Sequence, residues 1–133
     1  MRATRSNPDT VATPMGTYSQ AVRVETGEAV WIHISGQIAI DREGNLVGPS
    51  DVRAQTRQVF ENLKAILEAN GATFGDAVKI GTYLTTLDDL AAMREVRSEY
   101  LTSDPPASTA VQVVALVVPD ALIEIDLVAV VPA

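Results

Sequence analysis

The segment LIEIDLVAVV, Leu122 to Val131, narrows what this chain can fold into more than any other stretch. Apart from Glu124 and Asp126 it is apolar, and its β-branched content suits a strand. A strand this apolar makes a poor free edge, because unpaired backbone groups flanked by apolar side chains recruit other chains. The stretch before it, Thr109 to Leu116, is rich in valine and alanine, and Pro119-Asp120 between the two predicts the turn of a hairpin. Val113, Val114, Ala115, Val128 and Val130 make these last strands apolar on both faces. Burial of one face against another subunit is the natural solution.

The remaining chain divides by its periodicities. Residues up to Gly16 are rich in Thr, Pro, Asn and Asp without a repeat, which predicts an extended arm or loop. Tyr18 to Glu25 (YSQAVRVE) alternates, and a turn at Gly27 separates it from Val30 to Ser35 (VWIHIS), predicting two antiparallel strands. GQIAIDREGNLVGPS carries turn signals at Glu43-Gly44-Asn45 and Gly48-Pro49, so it reads as a loop or a small strand excursion. A helix follows, capped by Ser50 or Asp51. Val52, Thr56, Val59, Leu63, Ile66 and Leu67 recur along it at helical steps, and Asn70-Gly71 ends it. In the strand Asp76 to Leu84, alternation puts Val78, Ile80, Thr82 and Leu84 on one face and Lys79, Gly81 and Tyr83 on the other. The second helix should be capped by Asp88 or Asp89, with Leu87 as a hydrophobic staple, and run to about Leu101 before Ser103-Asp104-Pro105-Pro106. The order ββαβαββ predicts an α+β domain in which both helices cover one face of a mixed sheet.

The 133 residues suffice for one domain, and 47% hydrophobic against 20% charged residues suits a packed core. A net charge of -7 repels phosphate backbones and anionic lipid, so no nucleic-acid or membrane partner is expected. Without cysteine there is no disulfide, thiolate nucleophile or thiolate metal site, and His33 is the only histidine, so no metal is expected. MRATRSNPDTVATP lacks the apolar core of a secretory signal, and no later run reaches the ~20 apolar residues that span a bilayer. A cytoplasmic protein is the expectation.

Few residues stand out chemically. Glu124 and Asp126 share a strand face roughly 6 to 7 Å apart, a spacing compatible with a general acid-base pair and equally with the solvated side of a strand. Arg97 falls between Leu90 and Met93 in the apolar arc of the second helix, with Arg94 at the arc's edge. An arginine so placed is paired, snorkels, or faces a cleft that takes an anion. Gly16-Thr17-Tyr18 and Ser35-Gly36-Gln37 are glycine turns beside strands that permit close approach of a ligand, and Tyr18 offers either a donor or simple packing. His33, alternating with Trp31 and Ser35, receives no role.

Taken together, Gly16-Thr17-Tyr18-Ser19-Gln20-Ala21, Ser35-Gly36-Gln37-Ile38, Gln55-Thr56-Arg57-Gln58, Glu61-Asn62-Leu63-Lys64, Pro105-Pro106-Ala107 and Ile123-Glu124-Ile125-Asp126 resemble the Rid family, also called YjgF or RidA-like. The resemblance spans nearly the whole chain, residues 1–133 as a single domain with 1–16 as its arm. It implies a chorismate-mutase-like fold and a homotrimer whose sheets form a central barrel, with a small-molecule cleft at each subunit interface. It also implies hydrolysis of small enamines and imines with release of ammonia, without metal or cofactor, Glu124 activating the water. In the family pattern an arginine after Pro-Ala clamps the substrate carboxylate; here that position is Ser108. The second helix carries Arg94 and Arg97 where the pattern has asparagine and tyrosine. The implied site therefore comprises Glu124, Tyr18, Gly36, Ser108, main-chain groups at Ala110 and Val111, and Arg94 and Arg97. The expected function is a hydrolase of altered substrate class. The alternative is a non-catalytic trimeric binder of small metabolites or of a partner; no histidine pair or basic groove supports ribonuclease chemistry.

Overall fold

A computed structural model describes all 133 residues. Its elements are β1 (Arg2–Ser6), β2 (Ala21–Glu25), β3 (Ala29–Gln37), α1 (Val52–Ala69), β4 (Ala77–Leu84), α2 (Leu90–Arg97), β5 (Ala107–Gln112) and β6 (Ile123–Pro132). The strands form one six-stranded sheet in the order β1-β2-β3-β6-β4-β5, and both helices lie on one face, giving the expected α+β architecture.

The chain closes with a central strand rather than a hairpin. β6 sits between β3 and β4, antiparallel to both, while β5 lies at the edge and pairs in parallel with β4. Ile123, Ile125, Leu127 and Ala129 are all buried on β6, so it needs neighbours on both sides. β5 is mostly exposed and made of small or polar residues, which an edge tolerates. The β4-α2-β5 connection is a strand-helix-strand crossover, the connection that parallel pairing requires. Val113, Val114 and Ala115 lie in the loop before β6 and not in a strand, with Val114 fully exposed.

Three further expectations change. The N-terminal arm contains β1, paired to β2 from Arg2↔Glu25 to Ser6↔Ala21; this polar strand is held by its backbone and leaves no hydrophobic alternation. On β4 a register shift between Ala77 and Lys79 turns Val78 outward, so Ala77, Ile80, Thr82 and Leu84 face the core. The second helix opens through a 3₁₀ turn, Leu87–Asp89, capped by the Thr86 hydroxyl, and Leu87 is exposed instead of stapling it. It ends at Arg97, and only single turns continue to Leu101.

α1 follows its periodicity closely. Asp51 caps it by accepting from the Ala54 N–H at 3.1 Å, and Val59, Phe60, Leu63, Ile66 and Leu67 are buried against the sheet. Gly71, at φ 79°, takes the left-handed conformation that ends the helix. Arg53 of α1 pairs with Glu95 of α2, and Arg57 donates at 2.8 Å to Glu99 in the turn that follows α2. No helix is long and apolar enough to cross a membrane. The other sheet face has no cover within the chain: Trp31 is 41% exposed, and Val22, Val24, Val128 and Val130 are half-buried beside it.

Candidate active site

Glu124 sits on this open face of β6, opposite Tyr83 of β4, and enters a cavity of about 270 Å³. Tyr18, Gly36, Gln37, Asn62 and Val117 share the lining. β3 brings its backbone in by a bulge: Ile34 pairs with Leu127 and Gln37 with Ile125, so Ser35 and Gly36 together oppose Asp126. A Cβ on Gly36 would lie 2.8 Å from both Cδ and Oε2 of Glu124. Only glycine lets the strand approach the carboxyl this closely.

Glu124 is half-buried, and desolvation, followed by the negative charge of Asp126, pushes its carboxyl above the ordinary glutamate range. A raised carboxyl is a better proton acceptor when ionised and a usable donor after it has taken the proton. Asp126 is held apart from that role: Tyr83 donates its hydroxyl to Asp126 Oδ2 at 3.0 Å, and this bond raises the phenol in turn. Gly81 stands to Asp126 as Gly36 does to Glu124, since a Cβ there would come 2.4 Å from Oδ1. The Tyr18 hydroxyl accepts from the Met15 N–H at 3.2 Å, which leaves its own proton free to donate into the cavity.

Four buried amides, whose residues appear in the sequence motifs without an assigned role, build this site. Gln55 donates to the carbonyls of Gly48 at 3.2 Å and Asp120 at 2.9 Å and accepts from Leu122 N–H at 2.8 Å, which fixes the start of β6. Asn62 donates to the carbonyls of Ile38 and Ile40 at 3.2 and 2.9 Å, holding the segment after the bulge. Gln37 donates to Gln20 Oε1 at 2.7 Å, and Gln20 reaches the Ala12 carbonyl at 3.2 Å, drawing the arm over the cavity. The sequence signal was four amides within or beside predicted elements; most of their partners are carbonyls in loops, which no periodicity specifies.

The expected site residues divide within one protomer. Tyr18, Gly36 and Glu124 converge on the first cavity. Ser108, Arg94 and Arg97 converge on a second, of about 210 Å³, between α2 and β5. Ser108 is in register with Ile80 on the helix-covered face, whereas Glu124 faces the other way. Ala110 and Val111 line neither cavity: Ala110 is in register with Thr82 and half-buried, and Val111 is exposed. His33 stacks on Trp31 with centroids 6.4 Å apart. No group of three or more His, Asp or Glu side chains is placed to hold a metal ion.

Over residues 9–131 the chain matches the family described as Endoribonuclease L-PSP. It is 45% identical over 116 residues to a RutC family protein of Pyrococcus abyssi, covering 87% of each chain. It is 37% identical over 103 residues to a protein of Dermatophagoides farinae named 2-iminobutanoate/2-iminopropanoate deaminase, covering 77% of each. A solved Yersinia pestis structure, described as a member of the conserved Rid protein family, superposes with a TM-score of 0.89 at 31% identity. That match covers 98% of this chain and 100% of the other.

Proposed function

The chain belongs to the Rid/YjgF family, and on that premise we propose that it hydrolyses small reactive imines or enamines, releasing ammonia, with Glu124 as the group that activates water. The observation carrying this reading is the half-buried Glu124 carboxyl in a cavity opened for it by Gly36. Glu124 takes a proton from water as the water oxygen bonds to the imine carbon and the C=N electron pair passes to nitrogen. The proton then moves on to nitrogen, the new hydroxyl gives its own proton through Glu124 to the same nitrogen as the C–N bond breaks and the C=O bond forms, and a carbonyl compound and ammonia leave. Tyr18 is placed to donate a hydrogen bond to the substrate. The deaminase name of the mite relative supports the reaction class.

Ser108 alters the substrate class. Serine has neither the charge nor the fork of a guanidinium, and losing a charge-assisted pair forfeits about 1.5 to 3 kcal/mol of binding. Imines of the 2-aminoacrylate type, held by a carboxylate at this position, should turn over slowly, and the preferred substrate lacks that anion or presents it elsewhere. The active form is a homotrimer with its open sheet faces inward. The half-exposed Trp31, Val22, Val24, Val128 and Val130 support this, and so does the split of the site between two sheet faces, which a neighbouring protomer would reunite.

The test is ammonia release from imines generated in situ, with and without a carboxylate, by the native protein and by Ser108→Arg. Ser108→Arg should raise turnover of the carboxylate-bearing imine by about tenfold or more. No turnover by either protein on any imine would favour the second reading, a metabolite binder without chemistry, which the serine at position 108 itself supports.

A further inference from the structure

The two acids of β6 lean to opposite sides. Glu124 turns toward β3, where a Cβ on Gly36 would meet its carboxyl, and Asp126 turns toward β4, where a Cβ on Gly81 would collide with Oδ1. Gly81 is buried and in register with Asp126, and Tyr83 is in register with Glu124. From there the Tyr83 hydroxyl reaches diagonally to Asp126 Oδ2 at 3.0 Å. The phenol oxygen would itself lie 3.1 Å from a Cβ at position 81, so phenol and carboxylate together fill the notch that the glycine leaves. An acid on a solvated strand face needs no notch and finds its hydrogen bonds in water.

Two carboxyl groups whose oxygens meet share one proton and titrate as a pair. The splay of Glu124 and Asp126 prevents this. Asp126 is tied to Tyr83 and does not line the cavity that Glu124 enters, so it takes no proton from water there. Its negative charge still reaches Glu124, as the second cause after desolvation of the raised carboxyl. From the strands flanking β6, the other titratable groups of this face are Lys79 and Tyr83 of β4 and His33 of β3, and Tyr18 joins from the segment before β2. Lys79 gives its ammonium to Thr109 Oγ1 of β5 at 2.8 Å and forms no ion pair with Asp126. His33 is in register with Val128 and stacks on Trp31, and the Tyr18 oxygen is engaged by the Met15 N–H. No cation cancels the charge of Asp126.

We propose that Tyr83 and Asp126 are a positioning pair for Glu124: the phenol pins the Asp126 carboxylate in the Gly81 notch, and the charge fixed there strengthens Glu124 as the base that takes the proton from water. Neither residue touches the substrate, since neither lines the cavity. A free aspartate would turn its charge out into water, where it is screened. The tyrosine hydroxyl holds it at a constant place beside the base, and the hydrogen bond favours the charged form of its acceptor. The inference rests on the hydrolytic reading of Glu124 for its function, but its physical content, the effect of the pair on the Glu124 carboxyl, is measured without turnover.

The experiment follows the side-chain carboxyl carbon of Glu124 by NMR through a pH titration of the full chain, beside the pH profile of kcat for the imine that the native protein turns over fastest. Asp126→Asn keeps the shape and removes the charge, so the Glu124 midpoint and the acid limb of kcat should both move to lower pH. The weaker base should also lower kcat a few-fold at the plateau, with KM little changed. Tyr83→Phe should move the midpoint the same way by less, and Glu28→Gln, an exposed charge at the far end of β3, should not move it. If Asp126→Asn does not fold, by thermal melt and light scattering, Tyr83→Phe and Gly81→Ala carry the test, because the added methyl displaces both members of the pair. Shifted titrations in a native protein that turns over no imine would remove the hydrolytic reading and leave the pair's effect on Glu124 standing. The proposal is overturned if Asp126→Asn titrates at Glu124 as the native protein does, or if Tyr83→Phe leaves both the midpoint and kcat unchanged.

Discussion

Adding one methyl group at Gly36 should disable the site while leaving the fold standing. The new Cβ would lie 2.8 Å from Cδ and Oε2 of Glu124 and 3.0 Å from its Cγ. Non-bonded carbons rest about 3.5 to 4.0 Å apart, so the carboxyl must retreat by about 0.7 to 1.2 Å. Gly36 is not among the glycines with positive φ, so alanine suits the backbone there. The obstacle is the flexible end of a half-buried side chain with a cavity beside it, and that end moves more readily than the strand. The stability cost should stay at or below about 1 kcal/mol, the low end for overpacking. Displacing a catalytic group by ~1 Å can cost about a hundredfold in rate. Gly36→Ala should therefore lower kcat for imine hydrolysis about a hundredfold while its melting temperature shifts by only a few degrees, read by ammonia release and a thermal melt. Unchanged kcat in a folded Gly36→Ala protein would refute the argument that Glu124 must stand where it does.

Other outcomes follow from the same contacts. Gln55→Leu leaves the Leu122 N–H and the Gly48 and Asp120 carbonyls without their buried partner, and at about 1 to 3 kcal/mol per unsatisfied group it should cost at least 2 kcal/mol in urea unfolding. Because Glu124 has a raised pKa in the folded chain, stability falls as pH rises from the ordinary glutamate value through the raised one, then levels off. Glu124→Gln escapes that loss, so its melting temperature should match the native protein's in acid and exceed it at neutral pH; equal values at every pH would mean the carboxyl is not destabilised by burial. Light scattering at micromolar concentration should give three times the 14.2 kDa chain mass, and a stable monomer would remove the interface from the account.

What the sequence disclosed follows from what periodicity can encode. α1 was legible to within a residue because its apolar positions, its Asp51 cap and its glycine exit all point to one helix. Glu124 was legible as a charge on an otherwise apolar strand. Alternation tells a strand which face is buried and not which strand lies beside it, so the β5–β6 hairpin was expected where parallel β4–β5 pairing occurs. Val113 and Val114 looked like strand because β propensity measures fit to a half-buried surface, and in a single chain Val114 meets none. Val78 was misplaced by a one-residue bulge, which inverts the faces before it and leaves no mark in the pattern. The separation of Glu124 from Ser108 could not be read at all, since it depends on which sheet face each strand presents once the sheet is assembled.

The proposed hydrolysis is tested most directly by single-turnover ammonia release from whichever imine the native protein turns over fastest, compared with Glu124→Gln under the same conditions. The amide keeps the shape of the side chain and removes its ability to take a proton, so the rate should fall by two or more orders of magnitude, in line with the ~10²–10⁴-fold contribution of general-base catalysis. Substrate binding, read from the concentration dependence, should change little. A Glu124→Gln protein that releases ammonia at the native rate would contradict the account, because no other group in that cavity is placed to activate the water.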